Sequence, residues 1–234
     1  MSAGALLREA LARVRSLALP PTTEGPMVRV LEEDREGRTF LADAAWEAWN
    51  GHQARTRGAG VLLWHAASNL GDDLSDGEAT YLERPAQLAP AVQWTLQHLG
   101  TSLLLEAGTS REALTHASKR LAQAGSWAVD EWLSTHWDAP RYRRFAEGIA
   151  GLQLDAYLSL LWDGTPLAHR AGALGVPLGA LSLVGADARE QKARWRALPE
   201  TDRREVATWA AVLATGLSAA PEACIQRALR TALG

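Results

Sequence analysis

Apolar side chains recur along this chain at intervals of three and four residues, and no stretch alternates apolar with polar as a half-buried strand does. That spacing restricts the chain to packed amphipathic helices. The clearest case covers residues 55–70, where Val61, Leu62, Leu63, Trp64, Ala66 and Ala67 make a strongly apolar helix. The same reasoning predicts helices over 3–17, 39–49, 88–107, 126–133, 140–162, 167–184, 202–215 and 221–233. A further helix capped by Ser110 carries Leu114, Ala117 and Leu121 on its buried face. Residues 22–37, with Gly25-Pro26 and the acidic run Glu32-Glu33-Asp34, read as a polar, solvated connector. Pro140 suits a first helical turn, whereas Pro177 should bend or divide its helix. The expected fold class is all-α, a single-domain bundle of about ten helices with no linker that argues for two domains. Its parts are an N-terminal helix and connector (1–38), a central region (39–190) and C-terminal helices (191–234). Abundant Ala, Leu and Arg and scarce Ile, Phe and Tyr agree with helices rather than sheets.

Charge and cysteine content narrow the class. A net charge of −3 and no basic stripe exclude a nucleic-acid partner. One cysteine, Cys224, excludes an internal disulfide and a cysteine-rich zinc site, and fits a reducing, cytoplasmic setting. Residues 1–17 mix acids and bases and lack the apolar block of a signal peptide. No integral membrane segment is expected, because no uninterrupted apolar run of about 18 residues occurs. The ten tryptophans read mainly as core packers or subunit-interface anchors.

The helix over 55–70 runs directly into Asp72-Asp73-Leu74-Ser75-Asp76. Asp72 and Asp76 stand one helical turn apart with Asp73 beside them, so two or three carboxylates can converge. Like charges that close repel unless a cation lies among them. Mg²⁺ takes carboxylate oxygen and keeps waters and substrate phosphates as its other ligands, so the local chemistry suggests a Mg²⁺-bridged diphosphate. The plain alternative is an acidic helix end before a turn at Gly77. His65 lies two turns before Asp72 on the same face, either as a hydrogen-bonded core histidine or on a pocket floor.

Several segments then resemble, in order, one known family. Trp64-His65-Ala66-Ala67-Ser68-Asn69-Leu70-Gly71-Asp72-Asp73-Leu74-Ser75-Asp76 is similar to the first aspartate-rich region of the trans-isoprenyl diphosphate synthases, or polyprenyl synthetases. Gly148-Ile149-Ala150-Gly151-Leu152-Gln153-Leu154-Asp155 resembles their Gly-Gln-x-x-Asp segment with one residue fewer between Gln and Asp. His169-Arg170-Ala171-Gly172, with Leu178-Gly179-Ala180 and Gly185-Ala186-Asp187 after it, resembles their Lys-Thr helix and its small-residue run. The resemblance spans residues 40–190. It implies an isoprenoid-synthase-like fold and a Mg²⁺-dependent prenyl transferase acting on an allylic diphosphate. Asp72, Asp73 and Asp76 would be metal ligands; Arg84, Gln153, Asp155, Arg170 and His65 would bind substrate. The expected partner is a second copy or a related synthase subunit, in a homodimer or heterodimer.

The departures are as specific. Tyr81-Leu82-Glu83-Arg84-Pro85 stands where the family has an Arg-Arg pair, leaving Arg84 alone as a cation. Glu24-Gly25-Pro26-Met27-Val28-Arg29 keeps only a Gly and an Arg of the N-terminal Gly-Gly-Lys-x-x-Arg segment, and Arg170 is the nearest charge to the missing Lys of Lys-Thr. No second Asp-Asp-x-x-Asp follows Asp187. Three readings remain open: a transferase with one aspartate-rich motif, a non-catalytic subunit or scaffold of a heteromeric synthase, or a retained fold without activity. Other side chains carry two readings each: Tyr81, Trp94 and Gln97 as tunnel lining or core, and the Arg141, Arg143 and Arg144 cluster as diphosphate contact or solvated surface.

Overall fold

A computed structural model describes residues 2–33 and 36–233. Among the described residues the ordered elements are all helical, with twelve α-helices and short π and 3₁₀ segments. The all-α expectation is therefore met. Asp34, the end of the acidic run expected to be solvated, lies outside the described residues, while Glu32 and Glu33 are exposed. The chain divides into two compact units, Met1–Ser110 and Arg111–Gly234.

The first unit holds α1 (Ala3–Ser16), α2 (Pro21–Glu33), α3 (Glu36–Ala48), α4 (Gly51–Asp76) and α5 (Pro85–Glu106). The connector expected over 22–37 is corrected here: most of it is α2, because Met27, Val30 and Leu31 bury one face and Pro21 opens the first turn. The longest helix, α4, is buried almost all round from Ala54 to Leu70 and packs most extensively on α5. Backbone meets backbone where they cross, since a Cβ on Gly100 would lie 2.7 Å from the Gly60 carbonyl oxygen. The Trp64 indole nitrogen donates to Gln97 O at 3.0 Å across the same interface. Arg57, buried in α4, donates to Ala107 O at 3.2 Å and stacks its guanidinium 4.4 Å from the Trp49 ring. That bond satisfies a carbonyl left over at the end of α5.

The second unit is built around α9. It comprises α6 (Arg111–Trp132), α7 (Ala139–Ala146), a π-helical turn (Glu147–Gly151), α8 (Leu152–Trp162), a 3₁₀ turn (Ala168–Arg170), α9 (Ala171–Glu190), α10 (Ala193–Ala197), α11 (Glu200–Ser218) and α12 (Ala223–Leu233). Two expectations change. The piece over 126–133 is the continuation of α6, and Pro177 lies inside an undivided α9. Asp138 accepts from Arg141 N at 2.7 Å and caps α7, with Pro140 in its first turn as expected. Packing of the π-helical turn on α9 is tight enough that a Cβ on Gly179 would sit 2.2 Å from Ala150 O. By length and composition the stretch Ala168–Glu190 is apolar enough to cross a membrane, which the sequence reading did not anticipate. Half of its most apolar window is buried in the structure, and the stretch carries the buried Asp187.

Candidate functional site

The aspartates occupy the end of α4, which runs on through Asp76 and stops at Gly77, φ 75°. Asp72 and Asp76 are exposed and Asp73 is half-buried. The last turn holds no basic residue, and a helix C-terminus adds negative potential of its own, so the local field favours a cation. Tyr81, half-buried, donates its hydroxyl to Asp73 Oδ2 at 2.6 Å, which orients that carboxylate and separates its role from that of the two exposed ones. Among the described residues no group of three or more His, Cys, Asp or Glu side chains is placed to hold a metal ion. Two exposed carboxylates one turn apart still match what Mg²⁺ asks of a protein, since it takes one or two carboxylates and completes its shell with water and phosphate oxygens.

Arg84 stands exposed at the far end of the eight-residue connection (77–84) from α4 to α5, its carbonyl accepting from Gln87 N at 3.1 Å and Leu88 N at 2.9 Å. Arg29 on α2 reaches the same connection, 3.4 Å from Tyr81 O and 3.7 Å from Glu83. The sequence reading placed Arg29 in a loop, and only the helical register of α2 brings it here. His65 is half-buried, with Nδ1 3.3 Å from Asn69 Nδ2. Its ring lies flat on α3, where a Cβ on Gly37 would come within 2.3 Å of it. Trp94 packs in no core: it is 66% exposed and stacks on His98 at 4.4 Å.

In the second unit the acids singled out by the sequence are buried and held by cations. Asp155, 1% exposed on α8, forms an ion pair with Arg120, whose Nε lies 2.8 Å away, has His116 Nε2 at 3.2 Å from both oxygens, and accepts the Ser159 hydroxyl at 3.2 Å. Gln153, two residues earlier, is half-buried on another face. Asp187, also 1% exposed, is gripped by Arg194 through Nε at 2.6 Å and Nη2 at 2.7 Å, and accepts the Tyr142 hydroxyl at 2.6 Å. Arg194 also pairs with Glu131 and lies over the Phe145 ring at 5.1 Å. Burial, and then the charge of Asp187, push the Tyr142 hydroxyl far above its ordinary pKa. Burial works against the Arg194 charge, yet Asp187 and Glu131 outweigh it and raise its pKa. Arg170 precedes α9 and pairs with the buried Glu222. The Arg141, Arg143 and Arg144 cluster is largely spent on neighbours: Arg141 pairs with Asp130 at 2.9 Å and Arg143 with Glu205 at 2.6 Å.

No known protein-family model matches the sequence, and no curated protein is significantly similar to it. Solved structures do match. A geranyltranstransferase from Thermotoga maritima superposes with a TM-score of 0.73 at 14% identity, covering 97% of this chain and 94% of its own. A geranyltransferase from Helicobacter pylori, complexed with magnesium and isoprenyl diphosphate, gives 0.66 at 14% identity over 97% and 95%. A polyprenyl synthetase from Streptomyces coelicolor gives 0.61 at 18% identity over 98% and 84%. With an all-helical chain matched over nearly its whole length, the protein has the fold of the trans-isoprenyl diphosphate synthases.

Proposed function

We propose that the chain binds an allylic diphosphate with Mg²⁺ at Asp72, Asp73 and Asp76 and acts as a divergent prenyl transferase. The observation that carries this reading is the exposed acidic end of α4 in a fold shared with prenyl transferases, one of them complexed with magnesium and isoprenyl diphosphate. Bound there, Mg²⁺ would neutralise charge growing on the departing diphosphate. Asp72 and Asp76 would supply its carboxylate oxygens, and Tyr81 would hold Asp73 in one orientation. Arg84 and Arg29 would add positive charge beside the same connection, and Arg170 would add another cation. Gln153 and His65 complete the proposed substrate contacts, and Asp155 enters through the Arg120 and His116 side chains it fixes. One buried cysteine suits a reducing compartment such as the cytoplasm.

Thermal unfolding with Mg²⁺ and inorganic pyrophosphate tests the binding. A ligand at a hundred times its Kd stabilises the native state by about 2.7 kcal/mol. The wild-type chain should show that gain and an Asp72→Asn/Asp76→Asn variant should lose most of it. Equal shifts in the two proteins would remove the reading. Incubation with labelled allylic and homoallylic diphosphates, with and without Mg²⁺, then tests turnover.

A second reading has its own support. Asp155, the acid expected to face substrate in the second unit, is buried against Arg120 and committed to packing, as is Asp187 against Arg194. That favours a non-catalytic subunit of a heteromeric prenyl diphosphate synthase. It predicts co-purification with a complete synthase and a change in that partner's activity when this chain is added.

A further inference from the structure

We infer that Tyr81 is a positioning residue that sets the cation selectivity at the end of α4, favouring Mg²⁺ over Ca²⁺; this rests on the reading of Asp72, Asp73 and Asp76 as cation ligands. All the groups concerned lie in the first unit. Tyr81 holds one oxygen of Asp73, its hydroxyl donating to Oδ2 at 2.6 Å from eight residues further along the chain. Its neighbours keep it there. Ala79 and Leu82 are 2% and 4% exposed, so the connection from α4 to α5 is seated on the unit on both sides of Tyr81. The start of that connection is tied to the same residue, since Asp73 O accepts from Glu78 N at 2.7 Å and from Ala79 N at 3.1 Å. One short stretch therefore fixes Asp73 through backbone and side chain, whereas Asp72 and Asp76 are exposed.

A carboxylate held in this way can give a cation one oxygen without losing its hydrogen bond. Chelation through both oxygens of Asp73 would compete with the Tyr81 hydroxyl for Oδ2, and hydrogen bonds to ionised groups are the stronger ones. Mg²⁺ has no need of that second oxygen, because its octahedral shell is completed by water and phosphate oxygens around one or two carboxylates. Ca²⁺ takes about six to eight oxygens and readily chelates a carboxylate through both of its own. The hydroxyl thus withholds what the larger ion uses and leaves what the smaller ion needs.

A plain tether between the connection and α4 would use the same hydrogen bond, and cation titrations separate the two roles. Calorimetric titration of the chain with MgCl₂ and with CaCl₂ gives the ratio of the two dissociation constants. In Tyr81→Phe the affinity for Ca²⁺ should rise roughly three- to tenfold relative to that for Mg²⁺, part of what a hydrogen bond to a charged group is worth. Asp73→Asn leaves one oxygen and cannot chelate, so in that background the same Y81F substitution should not move the ratio. A ratio that Y81F leaves unmoved or shifts toward Mg²⁺, or that it shifts as much in the Asn background, overturns the proposal. So does a wild type that takes up neither cation, and the melts with Mg²⁺ and pyrophosphate then judge the functional reading separately. Should Y81F not fold or the Asn variant not bind, the Tyr81 ring resonances of the wild type decide, assigned as those that remain in both Tyr142→Phe and Tyr157→Phe. A larger shift at saturating Ca²⁺ than at saturating Mg²⁺ supports the proposal, and equal shifts overturn it.

Discussion

Replacing Arg194 with Met isolates what the buried charges of the second unit are worth. Arg194 is the only described cation within ion-pair distance of Asp187, bidentate at 2.6 and 2.7 Å, and Asp187 is 1% exposed. An exposed pair would contribute at most about 1 kcal/mol. Removing one partner of a buried pair instead costs about 3–5 kcal/mol, because the remaining charge keeps its desolvation penalty and loses its compensation. Stacking on Phe145 adds about 0.5–2 kcal/mol, although the Met side chain recovers part of that contact. A loss near 4 kcal/mol is a large share of a typical domain stability of about 5–15 kcal/mol. Urea unfolding followed by tryptophan fluorescence measures it, since Trp195 and Trp137 lie edge-on to Tyr142 at 5.8 and 6.2 Å and report on this neighbourhood. With two compact units the curve is to be fitted for two transitions rather than one. Adding Asp187→Leu to R194M should recover at least half the loss, because a well-packed apolar replacement of a buried pair is close to neutral. A cost below about 1 kcal/mol for R194M, or no recovery in the double variant, would refute the reasoning.

Three further outcomes follow from single contacts. Tyr142→Phe should alter alkaline stability: the folded state holds the Tyr142 proton while the unfolded chain releases it near the ordinary value of 10, so wild-type stability is intact below pH 10 and falls above it. The slope is about 1.4 kcal/mol per pH unit for that proton, and the variant should show one proton less of pH dependence in denaturation between pH 10 and 11. Gly179→Ala should destabilise by about 1–3 kcal/mol, because its Cβ would meet the Ala150 backbone at 2.2 Å and α9 must part from the π-helical turn. Gly216→Ala, with nothing within 4 Å on α11, should instead stabilise by up to about 1 kcal/mol in the same melts.

How far the sequence foretold this fold depends on where the signal lies. Helices such as α1 and α12 were legible because burial on one face writes a period into the chain. Residues 22–37 misled because Gly25-Pro26 is turn chemistry in isolation, yet the Met27, Val30 and Leu31 face overrode it once there was a core to cover. Pro177 was tolerated for a similar reason: α9 is buried through Leu174, Leu178 and Leu181, and packing holds it where an isolated helix would break. The cation partners were illegible. Arg120 and Asp155, Arg170 and Glu222, and Arg194 and Glu131 lie 35 to 63 residues apart, and no periodicity links residues at that range.

Those pairings divide the acids into two kinds, and the division bears on function more than the motif does. A carboxylate that serves packing is withdrawn from water and matched to a guanidinium, as Asp155, Asp187 and Glu222 are. Asp72 and Asp76 are the opposite: exposed, one turn apart, at a helix end whose dipole disfavours them and whose last turn has no basic residue. A Lys or Arg there would instead gain about 0.3–1 kcal/mol from the helix dipole. Places where a sequence breaks such a local rule are where a binding site is to be sought. In this chain that criterion selects the end of α4 and passes over the buried acids of the second unit, so the Asp72→Asn/Asp76→Asn comparison with Mg²⁺ and pyrophosphate is the test that bears on it most directly.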